Sequence, residues 1–363
     1  MARPWLKSYD EGVPASIDYP AIPVDQLLSR AAGKHPDHPA VIFGARVGSR
    51  LMDAKLTYRQ VNDAVNRFAS SLQHMGVKKG DRVAIMAPSC PQFLIAAYAA
   101  WRIGAIVVCC NPLYVEREVE HLVRDSGAET MVVLSSLYSR VKSVRPRTGL
   151  KRVIVTNIKE YFPGLLKFLF GLSKEKKEGH RVDISRDRDT FWFQEILQKG
   201  SARPNPVAMD PQEVAVLIYT GGTTGGPKGA QLTHFNLVSN ATANNVWAKS
   251  REAQDILISV MPFFHSYGLT VGMNTPIANR LTAIIIPNPR DLRHVLMAIE
   301  KHRATFYPGV PTMVVGMNNF PDIKKYDLSS LRFAVSAAAP LAPETQVRFE
   351  QITGCKILEA YGL

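Results

Sequence analysis

Short apolar runs recur along the chain, separated by segments whose apolar residues return every three or four positions. Such runs read as buried strands when they are short, and the longer spacing reads as helix. Val24 to Lys34 has the helical spacing and is followed by strands at Ala40 to Phe43 and Leu51 to Leu56. Thr57-Tyr58-Arg59-Gln60 is a capping box, so a helix is predicted from there to about His74, stopped by Gly76. Strands are then predicted at Arg82–Ala87, Ala105–Cys110, Thr130–Leu134 and Val153–Val155, alternating with helical segments. Gln198 to Pro211 holds three prolines and Gly200 and reads as a linker. Beyond it the alternation restarts, with strands at Val214–Ile218, Ile256–Val260, Leu281–Ile286, Ala304–Tyr307 and Arg332–Val335. The pattern predicts an α/β fold with two doubly wound, mostly parallel β-sheet subdomains, at 1–197 and 212–363, joined by the linker 198–211.

Phe93 to Cys110 is apolar except for Arg102 and has the length of a membrane span. Two elements account for it better: a small-residue helix begun by Pro91, then a strand after Gly104. Each is too short to cross a bilayer. Tyr161 to Leu172 is a second apolar stretch, followed by Lys174, Lys176 and Lys177. Aromatics beside lysines suit the interface of an anionic membrane, and a helix buried against the neighbouring domain is the other reading. The segment 159–180 is therefore expected to be an insertion facing one or the other.

The densest chemistry lies in Tyr219-Thr220-Gly221-Gly222-Thr223-Thr224-Gly225-Gly226-Pro227-Lys228-Gly229-Ala230, directly after the strand at Val214–Ile218. Its glycines let the backbone turn several N–H groups toward one point. The threonines add hydroxyls and Lys228 a mobile positive charge. Such a loop suits a polyphosphate. It is not a Walker A loop, because Pro227 separates Gly226 from Lys228 and Gly229 follows. A helix-like segment, Asn236 to Ala248, comes next, so the loop is expected to sit between a strand and a helix.

This loop resembles the phosphate-binding signature of the adenylate-forming superfamily of acyl-CoA synthetases, luciferases and adenylation domains. Further segments follow in that family's order. Met261-Pro262-Phe263-Phe264-His265-Ser266-Tyr267-Gly268 is similar to its aromatic/His segment beside the acyl site. Ser336-Ala337-Ala338-Ala339-Pro340-Leu341 is similar to its adenine-side turn, and Glu359-Ala360-Tyr361-Gly362-Leu363 to the start of its nucleotide motif. The opening Gly12-Val13-Pro14 through Ile17-Asp18-Tyr19-Pro20 resembles bacterial long-chain fatty-acid–CoA ligases in particular. The resemblance implies the N-terminal domain of such an enzyme, using ATP, Mg²⁺ and coenzyme A to turn a fatty acid into its thioester.

It also implies roles. The loop from Tyr219 to Ala230 would hold the phosphates, with Thr224 and Lys228 as its catalytic donors. Tyr361 would stack on adenine, with the backbone of Ala338 and Ala339 at its edge. His265 would act at the carboxylate, closed over by Phe264 and Tyr267, with Gly268 and Gly272 giving room to the acyl chain. The residues quoted assign no metal ligand. By the same resemblance the chain ends inside its last motif, the second sheet is incomplete, and the isolated chain is expected to be inactive. Activation of another carboxylic acid, or a non-catalytic fragment that binds nucleotide or acyl chain, are the alternatives. The stretch Tyr267 to Met273 has no acid to meet an ammonium group, which disfavours an amino-acid substrate.

Composition adds limits. The 46% hydrophobic and 21% charged residues are those of a globular chain. The net charge of +13 favours anionic partners, and six basic residues between Arg140 and Arg152 fall together without an acid. Charge alone speaks for nucleic acid, which is not expected as a partner, and oligomeric state is left open. Cys90, Cys109, Cys110 and Cys355 have no metal-ligand spacing and read as buried, reduced thiols. No apolar h-region follows Met1-Ala2-Arg3-Pro4-Trp5, so the expected location is the cytoplasm, with contact to the inner membrane face.

Overall fold

The computed structural model describes residues 3–221 and 227–362. Its strands are β1 (Pro39–Val47), β2 (Arg50–Thr57), β3 (Arg82–Met86), β4 (Ile106–Cys109), β5 (Thr130–Leu134), β6 (Arg152–Thr156) and β7 (Thr190–Trp192). They continue with β8 (Val214–Thr220), β9 (Lys228–Thr233), β10 (Ile256–Ser259), β11 (Thr282–Ile285), β12 (Phe306–Gly309), β13 (Phe333–Ser336) and β14 (Lys356–Glu359). They form two seven-stranded sheets, ordered β7-β6-β5-β3-β4-β8-β9 and β14-β13-β12-β10-β11-β1-β2. All pairings are parallel except the β1–β2 and β8–β9 hairpins. The α/β class and the mostly parallel sheets are as expected.

The expected division at 1–197 and 212–363 does not separate the two sheets. The first hairpin joins the second sheet, with Val41 opposite Ala283, and β8 joins the first, with Val108 opposite Leu217. Periodicity marks a strand but carries nothing about which sheet receives it. The proposed linker is irregular but packed: Arg67 donates to the Gly200 carbonyl at 3.0 Å and Gln73 to that of Asn205 at 2.9 Å. An added Cβ at Gly200 would sit 2.0 Å from the Arg67 carbonyl oxygen, so no larger residue fits that crossing.

Four helices locate the core: α1 (Asp25–Lys34), α2 (Tyr58–His74), α3 (Pro91–Arg102) and α4 (Glu116–Ser126). The capping box opens α2 as read, with Gln60 N–H on Thr57 Oγ1 at 3.2 Å and Thr57 N–H on Gln60 Oε1 at 2.8 Å. Past its end Gly76 takes φ +82°, which glycine accepts without a Cβ clash. Every residue of α3 from Pro91 to Trp101 is buried, and its cluster includes Val83 and Val107 of the first sheet with Phe43 and Ile285 of the second. Trp101 Nε1 donates to the Ala215 carbonyl at 2.8 Å, and Tyr98 OH to Asn274 Oδ1 at 2.9 Å. The long apolar run is thus a central helix and a strand. Among the described residues no helix is long and apolar enough to cross a membrane.

The run from Arg140 to Arg152 is absorbed locally. Lys142 pairs with Asp187 at 2.7 Å, Arg147 with Glu120 at 2.8 Å and Lys151 with Glu129 at 2.6 Å. Arg140 and Arg145 donate to backbone carbonyls. The four cysteines are buried and unpaired, and burial pushes the thiols of Cys90 and Cys109 up to about 12, far from thiolate chemistry.

Arg102 ends α3 in a buried polar joint. Its guanidinium lies 3.5 Å from Asp25 of α1 and donates to Asn62 and Asn66 of α2, at 3.0 and 2.6 Å. Burial raises the Asp25 carboxyl to about 6, against the opposing pull of Arg102. A carboxyl raised above its ordinary 3.8 stabilises the fold most at low pH, and that contribution is lost as pH rises through about 6. Asp25→Asn should therefore flatten the stability profile between about pH 4 and 6. Arg102→Met, which leaves the carboxylate buried alone, should cost about 3–5 kcal/mol at pH 7. Urea unfolding across that range reads both; identical profiles for wild type and Asp25→Asn would clear Asp25 of the effect.

Candidate active site

The described flanks of the glycine-rich segment are the paired ends of β8 and β9. Thr220 pairs with Lys228 and Tyr219 with Gly229 across it. The expected strand–loop–helix context is corrected: β9 intervenes, and the helix begins at His234 behind a Thr233–Asn236 cap. Within β9 only Ala230 and Leu232 alternate, too weak a period for a half-buried edge strand to be read. Gly222, Thr223, Thr224, Gly225 and Gly226 lie outside the described residues. The flanks lean on α4, where Tyr219 OH donates to Asp125 at 2.6 Å and the His121 ring lies 3.4 Å from the Pro227 carbonyl. Burial, and then the Asp125 carboxylate, push the Tyr219 phenol well above its usual range, so it stays a donor. Thr220, Gly221, Lys228 and Ala230 are exposed, and Gly229 lets the Tyr219 ring lie against the backbone.

The His265 segment leaves the carboxyl end of β10 and is held by the other sheet. Ser89, on the turn between β3 and α3, donates to the Met261 carbonyl at 3.2 Å and accepts from Phe263 N–H at 3.1 Å. Phe263 packs edge-on against Phe93 at 5.8 Å. Gly268 closes the turn so tightly that a Cβ there would stand 1.9 Å from the Pro262 carbonyl oxygen. A π-helical stretch, Gly268–Asn274, follows, a widened turn often found at functional sites. His265 is exposed, and its Nδ1 accepts Tyr267 N–H at 3.4 Å, which assigns the proton of the neutral ring to Nε2. Tyr267 OH donates to the Gly309 carbonyl at 3.4 Å, which also accepts from Ala337 N–H at 3.2 Å. One carbonyl thereby ties the ends of β10, β12 and β13 together.

Beyond β13, Ala338 takes φ +73°, unusual for a residue with a Cβ, and both Ala338 and Ala339 are exposed. His265, Tyr267, Ala338 and Tyr361 line one cleft of about 210 Å³, which Asn240 and Asn244 of the His234–Trp247 helix complete. Those two asparagines were not anticipated, and their i, i+4 spacing on one helix was the available signal. The cleft adjoins an apolar channel of about 470 Å³, walled by Tyr267, Val271, Phe306, Tyr307 and Val335. Glu359 also reaches the channel, but its Oε1 accepts Leu341 N–H at 3.0 Å. On the other side of the His265–Tyr267 wall lies a third cavity of about 680 Å³, lined by Phe264, Gly268 and Arg290. Gly272 is buried behind the wall, where a Cβ would come within 3.3 Å of Phe263, and its carbonyl accepts from Ser259. Its neighbour Val271 faces the channel instead.

Among the described residues no group of His, Cys, Asp or Glu is arranged to hold a metal ion. The profile of the AMP-binding enzymes matches residues 28–363. The chain belongs to that family. It is 33% identical over 364 residues to a long-chain-fatty-acid–CoA ligase of Bacillus subtilis, covering 99% of this chain and 63% of that protein. Against a ligase of the same name from Yersinia pestis the figures are 32%, 100% and 64%. The chain thus spans under two thirds of the length of these relatives. A long-chain-fatty-acid-CoA ligase structure from Archaeoglobus fulgidus superposes with a TM-score of 0.78 at 27% identity, over 98% of this chain and 66% of that one. An anthranilate CoA ligase in complex with anthranoyl-AMP gives the same TM-score at 21% identity, covering 94% and 60%, and at that distance speaks for the fold alone.

Replacing Gly268 with alanine should open the turn that carries His265. Backbone faces the missing Cβ, so a loss of about 2–4 kcal/mol is expected, the upper range of overpacking. Thermal unfolding checks this, and an unchanged midpoint would show that the turn has slack.

Proposed function

We propose that the whole protein activates a long-chain fatty acid in two steps. A carboxylate oxygen attacks the α-phosphorus of ATP, forming a P–O bond as pyrophosphate leaves. The thiol of coenzyme A then attacks the carbonyl carbon of the acyl-adenylate, forming the thioester as AMP leaves. The observation that carries this reading is the conjunction of a cleft bearing His265, Asn240 and Asn244 beside Ala338 with an apolar channel behind Tyr267.

Each group then has a task. Lys228 and Thr220, with the loop between them, hold phosphate oxygens and stabilise the charge gathered on pyrophosphate. His265, presenting Nε2–H, holds the carboxylate end; Tyr361 offers its ring and Ala338 and Ala339 their backbone to adenine. The channel takes the alkyl chain, which favours a fatty acid over an amino acid because the one acid on its wall caps Leu341. Mg²⁺ would offset phosphate charge, but the described residues offer it no carboxylate cluster, so no step is assigned to it. We place the enzyme in the cytoplasm, working at the inner face of the membrane.

In the whole protein, exchange of labelled pyrophosphate into ATP should require a fatty acid. Lys228→Ala should slow it by roughly ten- to a thousand-fold, the scale for one electrostatic donor, at unchanged thermal stability. Exchange driven by aromatic or amino acids, and not by fatty acids, would reassign the substrate. Undiminished exchange in Lys228→Ala would remove Lys228 from the site.

A further inference from the structure

The helix Gly164–Ser173 is anchored by one face and bare on the other. Leu166 and Phe170 are buried, Phe170 lying edge-on to Phe162 at 5.7 Å and to His180 at 5.6 Å. Just beyond the helix, Glu175 is tied down by Lys159 at 2.5 Å and Asn157 at 2.9 Å. The helix is therefore fixed in its roll. Outward it presents Leu165, Phe168, Leu169 and Leu172, exposed at 62%, 62%, 38% and 72%. These stand at i, i+3, i+4 and i+7, one stripe of the helix. Scattered exposed apolar residues are ordinary, but no other α-helix of the described residues carries more than one large one.

The unpaired charges beside the stripe have one sign. The helix itself has no acid, and Lys167, Lys176 and Lys177 are exposed without an ion-pair partner among the described residues. Glu178 lies 3.9 Å from Lys174, and Glu175 is turned into the body. A second copy docking through this face would set like lysines against each other. An anionic lipid surface fits both features, since it takes apolar side chains into the acyl boundary and lysines at its phosphates. Ten residues of helix reach only about 15 Å, half the bilayer core, so the helix can lie in the interface but not cross it.

We propose that this helix docks the protein on an anionic lipid surface, lying in the plane of the headgroups. It rises beyond the carboxyl end of β6, and β6, β5, β3, β4 and β8 are mutually parallel. The same edge of the sheet therefore carries the carboxyl end of β8 at Thr220, four strand spacings or roughly 19 Å away. Docking holds that edge near the phase in which long-chain acids dissolve. The proposal stands on this surface and not on the reading of the active site, so vesicle binding and pyrophosphate exchange succeed or fail separately.

The test is co-sedimentation of the 363-residue chain with phosphatidylcholine vesicles, with and without phosphatidylglycerol. Binding should need phosphatidylglycerol and weaken as salt is raised. A Leu165→Ser/Phe168→Ser/Leu172→Ser variant should lose at least about tenfold in partitioning while keeping its circular dichroism and thermal midpoint. Lys167→Gln/Lys176→Gln/Lys177→Gln should abolish the lipid-charge and salt dependence. Undiminished binding by the serine variant overturns the proposal, as does wild-type indifference to phosphatidylglycerol. A wild-type dimer that the serine variant converts to monomer, without change in vesicle binding, would give the face to a second copy.

Discussion

Everything in the fold depends on burying α3 from all sides. A helix whose every face is apolar has no stable place on a surface, and a single sheet covers only one of its flanks. The second sheet is the answer to that constraint: Val83 and Val107 meet α3 from one side, and Phe43 and Ile285 stand in the same core from the other. Exchange of the hairpins follows the same logic. Ala40 to Phe43 in β1 are buried on both pleat faces, so β1 needs a covered position inside a sheet, and β11 provides it. The polar ends of α3 are then matched one at a time, Trp101 to Ala215, Tyr98 to Asn274 and Arg102 to Asp25. Unpaired, each of these would cost more than its bond contributes.

The site inherits its rigidity from that helix. Ser89 lies just ahead of α3 and grips both Met261 and Phe263, so the turn bearing His265 is positioned by the opposite sheet. Gly268 and the Gly309 carbonyl complete the brace, one by leaving room for backbone and the other by accepting two donors. Loops at the carboxyl ends of parallel strands are the usual place for ligands in open α/β sheets. Here the cleft and the channel share the Tyr267 wall, so a group on one side is placed relative to the other without relying on a mobile loop.

Much of this was legible in the sequence, and the failures have physical causes. The strands from β3 to β6 and from β10 to β13 were found because buried parallel strands are short and continuously apolar. The capping box placed the start of α2 within a residue, because the cap is local chemistry. β9 was missed since its pairing with β8 depends on the partner strand more than on its own Lys228-Gly229-Ala230-Gln231 sequence. β7 and β14, at sheet edges, lacked a period for the same reason. Among the site residues, His265, Tyr267, Ala338 and Tyr361 meet around one cleft, whereas Gly272 packs behind it. Spacing along a helix cannot tell which neighbour faces a cavity when the helix widens to a π turn, so of the neighbours Val271 and Gly272 only Val271 reaches the channel. Ser89 lies 172 residues from Met261, and no local pattern announces such a pair.

Net charge was the least informative reading of all. A chain of +13 suggests a basic face, yet its densest basic run is consumed by Asp187, Glu120, Glu129 and backbone carbonyls. A side chain held this way fixes the fold and adds little field beyond its partner. Lys228 is one charge at the start of β9, and Lys167, Lys176 and Lys177 are three beside an apolar stripe. None of the four has an ion-pair partner among the described residues. Since screening confines a charge to roughly 8 Å at physiological salt, a few cations standing apart from any acid govern what anion is held. The sum over the chain governs only how strongly it is drawn nearby.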